Sequence, residues 1–88
     1  MIKDLEVEVI RLRRFDDAES KLKAFVDIAV GEFVVRGLRV VQGQKGLYLA
    51  MPQDQGKDGR WYNSFYPKTA DARQALSDIV LSVYKQEV

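Results

Sequence analysis

The sequence predicts an α+β fold, an antiparallel sheet of about five strands followed by a C-terminal helix packed on one face. Apolar and polar residues alternate with period two through the first half of the chain, Gly and Pro divide the strands, and a helical period takes over only after Pro67. The 88 residues suffice for one domain, 1–88, with a thin core that dimerisation would help to cover.

The first strand is expected from Leu5 to Arg14. Its alternation changes phase: Leu5, Val7 and Val9 share a face, then Ile10 and Leu12 take it over with Arg11 and Arg13 opposite. A bulge near Val9–Ile10 puts all five apolar residues on one side. A polar turn from Phe15 to Ser20 leads into Lys21–Val30, where Leu22, Ala24, Val26, Ile28 and Val30 face in while Lys21, Lys23 and Asp27 face out. So short a connection makes the two strands a hairpin.

Gly31-Glu32 turns the chain into a third strand, Phe33–Val41. It is apolar on both faces, with Phe33 and Val35 set against Val34, Leu38 and Val40, which predicts a central strand covered on both sides. Gln42–Gly46 is a glycine-bounded turn, and Leu47–Met51 a fourth strand ending at Pro52. Gln53–Gly59 is the longest loop. In the aromatic fifth strand, Arg60–Tyr66, Trp61 and Phe65 fall on one face and Tyr62 and Tyr66 on the other, and one pair is expected in the core beneath the helix. Thr69 caps that helix, Asp71 complements its dipole, and Ala72, Leu76, Ile79, Val80 and Val83 form its apolar stripe.

Composition narrows the function. The apolar fraction of 47% and charged fraction of 31% are those of a soluble globular protein. The chain has neither cysteine nor histidine, which removes thiolate metal sites and the commonest general acid/base together. Glu6, Glu8, Asp16, Asp17, Asp54 and Asp58 sit among lysines and arginines as a solvated surface, so no catalytic residue, metal or cofactor is expected. No apolar run approaches the roughly 20 residues that span a bilayer, and Met1-Ile2-Lys3-Asp4 does not resemble a signal peptide. A cytoplasmic protein without membrane insertion is the expectation. Net charge is only +1, so attraction for nucleic acid requires local clustering of basic groups.

The densest such cluster is Arg11, Arg13, Arg14, Lys21 and Lys23, projecting from the first hairpin. One reading is a patch that contacts phosphates without reading sequence. The other is a solvated sheet face whose charge protects an edge, offset by Asp16, Asp17 and Glu19. Gly43-Gln44-Lys45-Gly46 has the GxxG spelling of a KH phosphate-clamping loop, but strands rather than helices flank it, and it reads as a hairpin turn.

Three segments taken together, Ile10-Arg11-Leu12-Arg13, Lys23-Ala24-Phe25-Val26-Asp27-Ile28 and Phe33-Val34-Val35-Arg36-Gly37-Leu38-Arg39-Val40, resemble the SpoVG family of septation regulators. Gly46-Leu47-Tyr48-Leu49-Ala50-Met51-Pro52 followed by Asp58-Gly59 is the most distinctive match, and Pro67, Arg73, Leu76, Val80 and Tyr84 match the family's closing helix. The resemblance implies a bacterial cytoplasmic homodimer that binds DNA, RNA or both at specific sites and acts in sporulation and formation of the division septum. It also implies binding by basic residues around the loop after Ala50-Met51-Pro52 and near the helix. Carried over by position, that loop spans Gln53 to Arg60; Lys57, Arg60 and Arg73 are expected to carry the phosphate contacts, with Arg36 and Arg39 in support. Many relatives carry a Ser-Lys-Arg cluster just after the proline. Here Gln53-Asp54-Gln55-Gly56 stands instead, and each phosphate left without a cation lowers affinity and flattens its salt dependence.

Two readings of the function follow. One is a homodimeric nucleic-acid-binding regulator, dimerised through edge strands or the uncovered sheet face. The other is a protein-interaction module acting on division or envelope machinery, recruiting its partner through the aromatic strand or a free edge.

Overall fold

The clean alternation of Leu22–Val30 becomes the centre of the fold. In the computed structural model, which describes residues 6–15 and 17–86, this segment is strand β2, and Ala24, Val26 and Ile28 are fully buried. It pairs antiparallel with β1 (Val7–Arg14) on one side and β3 (Phe33–Gly43) on the other; β4 (Gly46–Ala50) completes a sheet of order β1-β2-β3-β4. Helix α1 (Ala70–Gln86) lies on one face of this sheet and reaches both outer strands, β1 and β4. The α+β fold is therefore as the sequence predicts. Met1 to Leu5, Asp16, Glu87 and Val88 lie outside the described residues, and with them the expected placement of Leu5 and the N-terminal segment.

The core consists of Ala24, Val26, Ile28, Leu38, Val40, Leu49, Met51, Leu76 and Val80, contributed by the three strands β2–β4, the residue after β4, and the helix. Burying a side chain such as Ile28 or Leu38 is worth roughly 1.5–3 kcal/mol each, so a few residues carry much of the fold. The helix begins where expected: the Ala72 N–H donates to Thr69 Oγ1 at 3.1 Å, Asp71 occupies the first turn and Lys85 the last. Leu76 and Val80, one turn apart, are its buried pair.

Three irregularities in register decide which side chains face where. The first, between Val9 and Arg11 of β1, is the expected bulge, but it works differently from the expectation. Ile10 is the extra residue and remains 48% exposed, while Val7, Val9 and Leu12 pack on the core. The second, in β2 between Leu22 and Ala24, lets two residues oppose one of β3 near Val41. The third corrects the reading of β3. Opposite Val26–Ile28, β3 holds one residue more, at Arg36-Gly37, and Gly37 takes φ +91°. The bulge brings Val35 into phase with Leu38 and Val40. The strand is thus central, as predicted, but covered on one face only: Val34 is exposed, and Phe33, at the strand's start, is 77% exposed.

The expected fifth strand also differs. It shortens to β6 (Trp61–Asn63), which leaves the main sheet and pairs with β5 (Gln53–Gln55), a strand lying in the predicted loop. Pro52 marks the departure: its carbonyl accepts from Ser64 N at 2.9 Å and Ser64 Oγ at 3.3 Å, folding the hairpin back on its own base. After Asn63 the strand alternation ends, so neither expected aromatic pair is buried. Phe65 alone packs against the core, while Trp61, Tyr62 and Tyr66 are exposed.

Candidate nucleic-acid interface

Because Ala24, Val26 and Ile28 point into the core, their neighbours Phe25 and Asp27 point out of the opposite, helix-free face. Register then dictates their company. Arg13 of β1 pairs with Phe25, and Phe25 with Arg39 of β3; one row further along, Arg11 pairs with Asp27, and the β3 bulge presents Arg36 and Gly37 beside them. Arg11, Arg13, Phe25, Asp27, Arg36 and Gly37 line a shallow depression of roughly 300 Å³. The Phe25 ring is held edge-on against Phe15, with centroids 5.2 Å apart and planes at 79°.

Gly37 also borders a second depression with Arg39, Gln53 and Trp61, so the hairpin β5–β6 extends this face sideways. Its missing side chain leaves the space between the two hollows open, and an added Cβ would stand 3.5 Å from Pro52. Arg39 is anchored at one nitrogen, donating through Nη2 to the Met51 carbonyl at 3.1 Å. Among the described residues, only Arg14 and Arg39 donate side-chain hydrogen bonds from an arginine. Among the described residues, the guanidiniums of Arg11, Arg13 and Arg36 donate no side-chain hydrogen bond.

The hairpin tip is a compact polar turn. Gly56 N donates to Arg60 O at 2.8 Å, and the Tyr62 ring lies so close to Gly56 that a Cβ there would meet it at 2.8 Å. Tyr62 Oη donates to Asp58 Oδ2 at 2.6 Å, and Arg60 N donates to Asp58 Oδ1 at 3.0 Å. These bonds, that from Tyr62 first, hold the Asp58 carboxyl below its usual range; the same contact raises the Tyr62 phenol.

The five cations expected to bind are not gathered in one place. Arg36 and Arg39 lie on β3, Lys57 and Arg60 at the hairpin tip, and Arg73 early in α1. Arg39 and Arg73 do share a depression of roughly 560 Å³ beside β4, which Lys21 also lines. Of the basic cluster on the first hairpin, Arg11 and Arg13 share the open face, whereas Arg14 turns away: its guanidinium lies 4.4 Å from the Tyr84 ring centroid and donates to the Tyr84 carbonyl. Phe25 escaped notice in the sequence, although the alternation that places Asp27 outward places Phe25 there as well.

The family described as SpoVG matches residues 5–86 of this chain. The chain belongs to the SpoVG family. Similar relatives come from distant organisms: one of Agathobacter rectalis is 34% identical over 85 residues, covering 96% of this chain and 97% of the relative. One of Archaeoglobus fulgidus is 35% identical over 83 residues, covering 93% and 96%. One of Staphylococcus aureus is 36% identical over 83 residues, covering 93% and 82%. All three carry the name SpoVG with a provisional assignment to septation. Within the SpoVG fold seen here, the distinctive Gly46–Pro52 segment is β4 with its exit from the sheet, and Asp58-Gly59 forms the hairpin turn.

Proposed function

We propose that this SpoVG-family protein is a homodimeric, cytoplasmic nucleic-acid-binding regulator of septation, without catalytic activity. The observation that carries the reading is the placement of Arg39, which lines both the depression toward Gln53 and Trp61 of the hairpin and the depression it shares with Lys21 and Arg73, and so lies between the hairpin and the helix. Phosphate contacts from Lys57, Arg60, Arg73, Arg36 and Arg39 position the nucleic acid. The outer edges of β1 and β4, unpaired among the described residues, offer the route to a dimer.

Fluorescence anisotropy against salt tests it. Binding is expected at low salt, with a slope that falls by about 0.9 for each duplex phosphate no longer neutralised in Lys57→Ala/Arg60→Ala. Sedimentation is expected to give twice the chain mass of 10.1 kDa. Absence of DNA and RNA binding at low salt removes this reading. It would favour a protein-interaction module, for which the exposed Trp61, Tyr62 and Tyr66 provide the surface.

A further inference from the structure

The helix-free face of the sheet has a chemistry of its own. Four guanidiniums, from Arg11, Arg13, Arg36 and Arg39, surround Phe25, and Asp27 is the one carboxylate lining the two contiguous depressions among the described residues. All four cations are arginines, whose planar heads pair with phosphate oxygens in bidentate fashion and also stack on flat rings. Phe25 is 39% exposed, with its ring fixed by Phe15, and Trp61 is 61% exposed across the gap left by Gly37. Cations interleaved with exposed aromatic rings are what an unpaired base-and-phosphate chain requires.

We propose that this face binds a single strand of nucleic acid, with its backbone on Arg11, Arg13, Arg36 and Arg39 and bases stacked on Phe25 and Trp61. The inference rests on the nucleic-acid reading above and specifies the form of the ligand and the face it occupies. Two physical arguments favour this occupant. A second copy of the chain laid symmetrically on the face would set arginines against arginines, a like-charge contact that disfavours dimerisation there. A duplex is a poor fit as well, because its major groove admits a helix or a two-stranded ribbon and not a four-stranded sheet; splayed bases lie flat on such a surface. Arg39 commits one of its five donors to the Met51 carbonyl, which fixes its head in the hollow beside Gln53 and Trp61 without exhausting it.

The test compares fluorescein-labelled dT20 and U20 with a 20-base-pair duplex at equal salt, on the full chain. Single strands are expected to bind more tightly than the duplex and to quench Trp61, the only tryptophan. Phe25→Leu, which keeps an apolar side chain but removes the stacking ring, is expected to weaken dT20 binding roughly 5- to 150-fold, the loss of one stacked base. Arg11→Gln/Arg13→Gln is expected to lower the single-strand salt slope by about 1.4, two phosphates at 0.7 each. Unchanged dT20 binding in both variants, with Lys57→Ala/Arg60→Ala abolishing it, overturns this inference and leaves the nucleic-acid reading standing. Preference for the duplex has the same meaning. No binding of any probe overturns both.

Discussion

Asp58 and Tyr62 show how single side chains set the working range of the hairpin. The Asp58 carboxyl, held below its ordinary value of 3.8, favours the folded turn above that pH and loses its contribution as pH falls through the depressed value. The Tyr62 phenol, raised above 10.0 by the same hydrogen bond, contributes fully below pH 10 and loses it as pH rises through the raised value. The contact therefore persists across the whole neutral range. In Tyr62→Phe, the Asp58 titration followed by carboxyl NMR is expected to move up toward 3.8, while the bond from Arg60 N keeps part of the depression. An unmoved midpoint would show that the tyrosine does not set it. Arg14 makes the complementary point: it is one residue from Arg13 and equally basic, yet strand alternation sends it to Tyr84 on the helix instead of to the open face.

At the scale of elements, the first four strands, the helix and its cap were legible, because each rests on a local rule. Alternation sufficed for Ala24, Val26 and Ile28, and Thr69 followed by a 3.6-residue apolar stripe sufficed for α1. Thr69→Ala is expected to cost about 1 kcal/mol in thermal unfolding, with Thr69→Ser restoring most of it. A melt unchanged by the alanine would mean that water caps the helix equally well. The bulges were harder. A phase change at Val9–Leu12 signals that an extra residue exists, but which residue is expelled depends on the pairing strand, and Ile10 is the one pushed outward. The same ambiguity made β3 look apolar on two sides when Arg36-Gly37 had shifted its phase. The hairpin β5–β6 was misread because Gln53-Asp54-Gln55 has no strand propensity of its own; the partner β6 and the glycine turn impose the extended form. Site residues were less legible still, since the open face joins Arg11, Phe25 and Arg36 from three strands, and only register brings them together.

For the molecule as a whole, cohesion is unevenly distributed. The pairing of β2 with β3 lies over the buried core, whereas β5 and β6 pair through three residues each and are exposed throughout. Hydrogen exchange is expected to reach the amides of Val26, Leu38 and Val40 only through global unfolding, and those of Gln53–Asn63 through local opening at much lower protection. Equal protection in both regions would contradict this partition. The clasp between Arg14 and Tyr84, 70 residues apart, has a further consequence in time. During synthesis the strands emerge first, with Val26, Ile28, Leu38 and Val40 lacking the helix that covers them. At roughly 5–20 residues per second, the 17 residues of α1 take about one to three seconds to be made. Until α1 is made and packs, Val26, Ile28, Leu38 and Val40 stay without the cover that Leu76 and Val80 give them.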